Sequence, residues 1–373
     1  MLKLSVPICN RTNYSKLKSI LAYLKKNSKI DISIVLSSDM AIDKPSNAIA
    51  DILSDGLSVS EKIDCLMKND TLESMSKTMA ISLIEHVTYF IKEKPNAVLI
   101  VGDRFDILPS VLSAKMLNLP ILHLQGGERS GSIDDTIRDI ITICADRHYV
   151  ATEEAYNYVK MIAKSKNVFN FGCPAVEVVS QIPVGDYLDV SLFKKKYKNS
   201  FGISPNEKYL LVVVHPNTQD ENDVDMDAIL GACISFGLKM VVVYPNIDPY
   251  NSKILKGMKD YEEDIICVRH MPLEDFVPMM AHASCMIGNS SAGIREAASF
   301  GTPVVNIGNR QKGRERNKNV IDCLNSYEDI KKAISLSLEK GKYPIDNLYY
   351  KENTSINIGN DIIKFLESNY SSE

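Results

Sequence analysis

The sequence has no CxxC pair and no Cys/His cluster at zinc spacing, although its 373 residues include eight cysteines, at 9, 65, 144, 173, 233, 267, 285 and 323. That excludes a zinc module of the ribbon or finger type. Most of these thiols lie in apolar surroundings, where a reduced cysteine packs as a small hydrophobe. No run approaches the roughly 18–20 apolar residues of a membrane span. The first apolar run is too short for a signal peptide, and no small-residue cleavage site follows it. A reduced, cytoplasmic protein without membrane contact is therefore expected. There is no excess of cations either: the net charge is -4, so no basic surface for nucleic acid is implied, and acidic ligands must be met by local cations. No G-x-G-x-x-G follows the first strand, which argues against a nicotinamide or flavin. Neither a P-loop nor a metal constellation is present, and no cofactor or metal is expected. Internal repeats, heptads and low-complexity tracts are also missing.

What remains is the composition of a soluble globular protein, 45% apolar and 24% charged, at a length that favours two domains. Short β-branched runs alternate with amphipathic helical patterns. One series of strands falls at 2–8, 31–37, 96–102, 120–125, 147–151 and 167–172. A second falls at 208–215, 238–245, 264–270, 284–289 and 302–308. Near-continuous apolar strands separated by helices indicate parallel sheets covered on both faces. Two such series predict two doubly wound, Rossmann-like α/β domains. The join falls in 172–190, which gives an N-terminal domain over 1–178, a C-terminal domain over 179–355 and a last helix over 356–373 that packs back on the first domain. The polar, acidic segment 39–71 reads as a loop or short helices.

In parallel sheets ligands bind outside the carboxyl ends of the strands, and in this chain those ends carry the unusual residues. The stretch "GNSSAGIREA" places Ser290 and Ser291 where a helix starts after a strand, with helix continuing from Ile294 to Phe300. Free N–H groups there suit a phosphate, although an ordinary N-cap uses the same residues. Glu296, further into the helix, can accept both hydroxyls of a ribose or can be a surface charge. In "GNRQKGRER" Arg310 is nearest the strand end, whereas Arg314 and Arg316 read as solvated. "CNRTNYSK" puts Arg11 directly after strand one as a phosphate or carboxylate fork, with Ser15 four residues on. "GDRFD" offers Asp103 as a base or hydroxyl acceptor and Arg104 as a second phosphate clamp. "HLQGGERSGSIDDTIRD" carries Gln125, Glu128, Asp134 and Asp135; Asp135 reads as a helix cap. His123 reads as a core histidine. His215, ending a strand in "VVVHPNT", is the best placed of the six histidines for acid–base or phosphate work, and His86, His148, His270 and His282 lack a comparable setting.

Taken in order, "CNRTNYSKL", "GDRFD", "LHLQGGERSGSIDDTIRD", "HPNT", "YPNID" and "GNSSAGIREAASFGTPVVNIGNRQKGR" resemble the hydrolysing UDP-N-acetylglucosamine 2-epimerases over about residues 4–330. Each motif alone is weak; their order and compatible spacing make the resemblance specific. It implies a GT-B-type arrangement, with the C-terminal half binding UDP and the N-terminal half on the sugar and catalytic side. Ser290, Ser291, Glu296 and Arg310 would hold UDP, and Arg11 and Arg104 would clamp the diphosphate. Asp103, Glu128, Asp134 and His215 would act around the sugar, with Asn246 facing it. The partner would be a UDP-sugar, and the assembly a homodimer or homotetramer.

The implied chemistry is loss of UDP with removal of the C2 proton, then hydration of the resulting 2-acetamidoglucal to N-acetylmannosamine, as in sialic-acid-type biosynthesis. Departures from the family pattern collect at the sugar end. Asn13 stands where Asp or Glu is usual, Gln125 where many members have a carboxylate, Asp139 where His follows Arg138, and "SSDM" (37–40) where Gly and His are common. They keep open the same chemistry on UDP-2,4-diacetamido-2,4,6-trideoxyglucose. A GT-B glycosyltransferase and a non-catalytic UDP-sugar sensor are the other readings.

Overall fold

The computed structural model describes residues 1–42, 47–67, 71–130, 133–186, 203, 207–217, 224–245, 251–268 and 271–370. The chain divides into two compact units. Unit 1 comprises Met1–Glu128, Ile133–Glu177 and Tyr349–Glu373, and unit 2 comprises Arg129–Ser132 and Val178–Leu348. Elements run in the order β1 (Leu2–Ile8), α1 (Arg11–Leu24), β2 (Ile30–Leu36), α2 (Asn47–Ser54), β3 (Val59–Lys62), α3 (Leu72–Glu93), β4 (Ala97–Val101), α4 (Leu108–Met116), β5 (Ile121–Leu124), α5 (Ile133–Cys144), β6 (Arg147–Val150), α6 (Glu153–Ala163), β7 (Val168–Asn170) and α7 (Pro174–Ser180). Then come β8 (Tyr209–Val213), α8 (Met226–Ile234), β9 (Lys239–Val243), α9 (Asn251–Lys259), β10 (Ile266–Val268), α10 (Leu273–His282), β11 (Cys285–Gly288), α11 (Ser291–Arg295), β12 (Val304–Ile307), β13 (Val320–Cys323) and α12 (Tyr327–Lys340). Helix α13 (Thr354–Tyr370) returns to unit 1.

Among the described residues each unit is built on one parallel sheet, in the order β3-β2-β1-β4-β5-β6-β7 in unit 1 and β10-β9-β8-β11-β12-β13 in unit 2. The central strands are apolar end to end because both of their faces are covered: β4 and β8 are buried throughout. In unit 1, α1 and α13 pack on one face around Leu4, Leu17, Leu21, Leu99 and Ile358, while α3, α4 and α5 cover the other around Phe90, Ile100, Val111 and Ile141. Winding reverses between β1 and β4 in the first sheet and between β8 and β11 in the second. These two switch points are where strand ends splay apart and leave a crevice.

Two strands differ from the sequence expectation. The segment 39–71 contributes α2 and the edge strand β3, whose four residues alternate half-buried and exposed; an edge strand paired on one side needs no apolar run. Strand β13 has one exposed and three half-buried residues and escaped the apolar pattern for the same reason.

Helix α13 buries Ile358, Ile362 and Leu366 completely, a stripe with four-residue spacing whose members contribute about 1.5–3 kcal/mol each. Between them Asp361 takes a two-pronged bond from Arg147, Nε and Nη2 both at 2.5 Å, and a third from the Tyr149 hydroxyl at 2.8 Å. The Arg147 guanidinium also stacks on Phe169, 4.5 Å from the ring centre.

Three histidines, His86, His123 and His148, are fully buried in unit 1. Burial pushes them down to about 4, 3 and 4 respectively, so the folded chain holds neutral rings. Unfolding frees them to bind protons near pH 6.5. Their contribution is therefore complete above pH 6.5 and is lost as the pH falls from 6.5 toward 4, and for His123 toward 3, on the order of 3–5 kcal/mol per ring at most. Thermal unfolding followed by circular dichroism should show Tm dropping steeply over that window. A Tm that stays flat from pH 6.5 to 4 contradicts the assignment.

Candidate active site

The carboxyl ends of β1 and β4 meet at the first switch point. Helix α1 begins there with a capping box: the Asn10 side chain accepts from the Asn13 N–H, and Asn13 Oδ1 accepts from the Asn10 N–H. Asn13 does more than cap. Its Oδ1 also accepts from the Cys9 N–H at 3.2 Å, and its Nδ2 donates to the Val101 carbonyl, again at 3.2 Å. The amide thus ties the end of β1 to the end of β4, a task that needs a donor as well as an acceptor. Gly102 permits the approach: at φ 113, a β-carbon there would lie 2.8 Å from Asn13 Nδ2. Arg11 opens α1, but its side chain lies outside the described residues. Ser15 is exposed, with its hydroxyl on the Thr12 carbonyl at 3.0 Å.

Asp103 and Arg104 follow β4 and diverge. Arg104 is 43% exposed, and its Nε is 3.5 Å from the buried Asp106 carboxylate. Burial raises the Asp106 carboxyl above its ordinary range, against the opposing pull of Arg104. Asp103 turns instead to Arg138 on α5. That guanidinium is 2% exposed, and it binds Asp103 through Nη2 and Asp135 through Nη1 at 2.7 Å. The same Nη1 donates to the carbonyl of Glu128. Arg138 thereby gathers β4, the loop after β5 and the first turn of α5. Asp134 stands in that same turn and is half-buried, while Glu128 is buried at 8% exposure. Asp135, read from sequence as a cap, is an ion-pair partner. Asp139, on the next position, accepts from the Tyr158 hydroxyl at 2.9 Å.

Gln125 directly follows β5 in the left-handed region, φ 64. Its side-chain amide donates to Cys173 Sγ at 3.1 Å, so it faces a thiol and not a cation. Residues 38–40 of "SSDM" form a 3₁₀ turn, with Ser38 also left-handed at φ 52.

At the second switch point β8 ends just before His215 and β11 ends at Gly288. Ser290 caps α11, accepting from the Ala292 N–H at 3.3 Å, and Ser291 is its first residue. The helix expected to run on to Phe300 is shorter: α11 stops at Arg295, and a 3₁₀ turn covers Ala297–Phe300. Few peptide dipoles are aligned there, so an anion would be met by individual N–H groups and cations more than by a macrodipole. Glu296 sits half-buried at the joint of the two turns.

His215 is half-buried, and burial together with the neighbouring Arg310 pushes its imidazole down to about 3. A ring held neutral offers an N–H hydrogen bond and not an imidazolium proton. Arg310 reaches back to β11, donating through Nη1 to the Asn289 carbonyl at 3.1 Å. Arg314 and Arg316, expected in solvent, are half-buried. Arg316 pairs with Asp322, Nη2 to Oδ1 at 3.0 Å, and donates to main-chain carbonyls of its own loop. The loop's cations are thus partly structural. Asn246 and His270 lie outside the described residues.

The structure brings Asp103, Asp135 and the Glu128 main chain together on Arg138 in unit 1, and His215, Asn289 and Arg310 together in unit 2. Sequence reasoning passed over Arg138 and Asn289. Arg138 had a signal: it lies three residues after Asp135 on the same helical face as Ile141, a position otherwise apolar. Among the described residues no group of three or more His, Cys, Asp and Glu is placed to hold a metal ion, and no helix is long and apolar enough to cross a membrane.

Residues 23–363 match the family model described as UDP-N-acetylglucosamine 2-epimerase. The chain is 31% identical to a hydrolysing UDP-N,N'-diacetylbacillosamine 2-epimerase of Legionella pneumophila, covering 92% of this chain and 91% of that one. It is 26% identical to a UDP-N-acetylglucosamine 2-epimerase of Neisseria meningitidis, covering 91% and 88%. Its fold matches that of the crystal structure of UDP-GlcNAc 2-epimerase from Neisseria meningitidis bound to UDP-GlcNAc, with a TM-score of 0.80 at 16% identity over 98% of this chain and 100% of that one.

Proposed function

The chain belongs to the UDP-N-acetylglucosamine 2-epimerase family, and from that premise we propose that it is a hydrolysing 2-epimerase of a UDP-linked 2-acetamido sugar. A carboxylate removes the C2 proton as the C1–O bond to UDP breaks, giving UDP and a 2-acetamidoglucal. Water then adds across C1=C2, placing hydroxyl on C1 and hydrogen on the opposite face of C2. The free 2-epimer leaves with UDP. The C2–H is weakly acidic, so the leaving diphosphate has to be stabilised as C1 gains positive character. Arg310, Arg104, Arg11 and the N–H groups and hydroxyls of Ser290 and Ser291 are suited to that, and Glu296 to the ribose. Removing one such donor typically costs about 3–4 kcal/mol of transition-state stabilisation. Asp103, Glu128 and Asp134 are the candidate proton carriers, and neutral His215 is a hydrogen-bond donor to the departing phosphate.

The observation that supports this reading is the meeting of the His215 main chain and the Arg310 guanidinium on Asn289 at the β8/β11 switch point, at a strand end that also presents Ser290. Between the two candidate sugars, we favour UDP-2,4-diacetamido-2,4,6-trideoxyglucose over UDP-N-acetylglucosamine, the reverse of the order that sequence alone suggested. The Legionella relative is named for N,N'-diacetylbacillosamine, which is that sugar, and the changed residues, Asn13 and Gln125, replace carboxylates by amides. UDP-N-acetylglucosamine stays the second reading, supported by the Neisseria relative.

Parallel assays on the two nucleotide sugars test the proposal. Free UDP and a free 2-epimer should appear from both or from the diacetamido sugar alone, with kcat/KM on the latter higher by roughly tenfold or more, the scale of discrimination a few contacts supply. A UDP-linked epimer as product, or UDP release only when a sugar acceptor is added, would refute it.

A further inference from the structure

Asn289 is 2% exposed and lies at the point where β8 and β11 part. The last rung of their ladder pairs Val213 with Gly288. Beyond it, the Asn289 side chain takes over. Its Oδ1 accepts from the His215 N–H at 2.8 Å and its Nδ2 donates to the His215 carbonyl at 2.8 Å. One planar amide therefore satisfies both main-chain groups of a residue just past the end of β8, as a further rung would. The Asn289 carbonyl, facing the other way, receives Arg310 Nη1 at 3.1 Å and Gln311 Nε2 at 3.0 Å. Gly288 makes the geometry available: at φ 133 it swings the chain so that its α-carbon passes under the Val213 carbonyl.

The chemistry restricts what can stand here. Asp has acceptors but no donor for the His215 carbonyl, and Gln is one methylene too long to hold both contacts at 2.8 Å. On the first switch point Asn13 is used in a comparable manner, joining β1 to β4.

We propose that Asn289 is a positioning residue: its side chain fixes the main chain of His215, from which the imidazole projects, and its carbonyl receives the Arg310 guanidinium, so that the two are set in one preassembled relation at the switch point. This deepens the function proposed above and rests on it. A residue acting in this way controls turnover through others, because misplacement by about 1 Å can cost on the order of 100-fold.

The test is a double-mutant cycle on the full chain, with UDP affinity by calorimetry and kcat on the preferred nucleotide sugar. Asn289→Ala should lower kcat by roughly 100-fold, because the His215 main chain loses both of its bonds, while the Asn289 carbonyl, which alanine keeps, still holds Arg310. Asn289→Asp leaves the main-chain carbonyl to Arg310 and removes only the donor to His215; it should lower kcat by about 10-fold or more while UDP affinity changes less than about threefold. The split between kcat and affinity is what a merely structural residue would not give. Combined with His215→Ala, either change should lower kcat no further than His215→Ala alone, within about twofold. If Asn289→Ala fails to fold, the Asp variant supports the same cycle. Multiplicative losses, or unchanged kcat in folded Asn289→Asp, overturn the assignment. An unaltered protein that binds no UDP overturns both this assignment and the function beneath it.

Discussion

Arg138→Ala is expected to destabilise unit 1 by about 3 kcal/mol and to reduce turnover by roughly 100-fold or more. The guanidinium is 2% exposed and binds Asp103, Asp135 and the Glu128 carbonyl at once. Removing it takes a shared guanidinium from Asp103 and Asp135 and a donor from the Glu128 carbonyl. Loss of one partner from a buried pair typically costs about 3–5 kcal/mol. Asp103 and Asp135 are 23% and 17% exposed, so water can relieve part of the penalty, which places the expectation at the low end. The catalytic loss has a separate origin: Asp103 and the Glu128 loop would no longer share an anchor. Arg138→Lys should recover only part of the activity, because an ammonium lacks the planar fork that serves several acceptors together. Urea unfolding and initial rates measure the two effects. Turnover of Arg138→Ala within threefold of the unaltered protein would remove Arg138 from the site.

Gly288→Ala is expected to cost about 3–5 kcal/mol in unit 2 and to abolish detectable UDP binding. Two penalties coincide. Gly288 sits at φ 133, a conformation open essentially to glycine. A β-carbon would also lie 2.1 Å from the Val213 carbonyl oxygen and 2.7 Å from its carbon, and both belong to the central strand β8, which cannot retreat. Gly237→Ala is the control: it has positive φ, 63, but nothing within 4 Å of the added carbon, so about 1–2 kcal/mol is expected there. Thermal shift and calorimetry with UDP check both variants. Equal losses at the two positions would show that backbone strain, and not the meeting with β8, dominates.

The sheets were readable from sequence because parallel strands with two covered faces need continuous apolar runs, as in β4 and β8. The edge strands β3 and β13 were not, since pairing on one side leaves their residues half exposed. The candidate site was readable as a set of strand ends, which is how Asp103, His215, Ser290 and Arg310 came forward. Its connections were not. Arg138 and Asn289 are ordinary residue types whose roles depend on which strand lies next to which, and strand order does not follow from one sequence. Arg316 errs the other way: a cation in a loop reads as solvated until Asp322, six residues later, is seen to turn back onto it. Helix α11 gives way at Glu296 to a 3₁₀ turn, and that turn is closed by Gly301, left-handed at φ 62, with a β-carbon there 2.1 Å from the Tyr343 carbonyl oxygen.

The most direct measurement is turnover of the preferred nucleotide sugar in heavy water, with the product read by mass spectrometry and proton NMR. Elimination through a glucal requires the original C2 proton to leave and a solvent-derived hydrogen to return, so the free 2-epimer should carry one deuterium at C2 and UDP should be released in equal amount. A product that keeps its C2 protium, or that remains joined to UDP, would contradict the account.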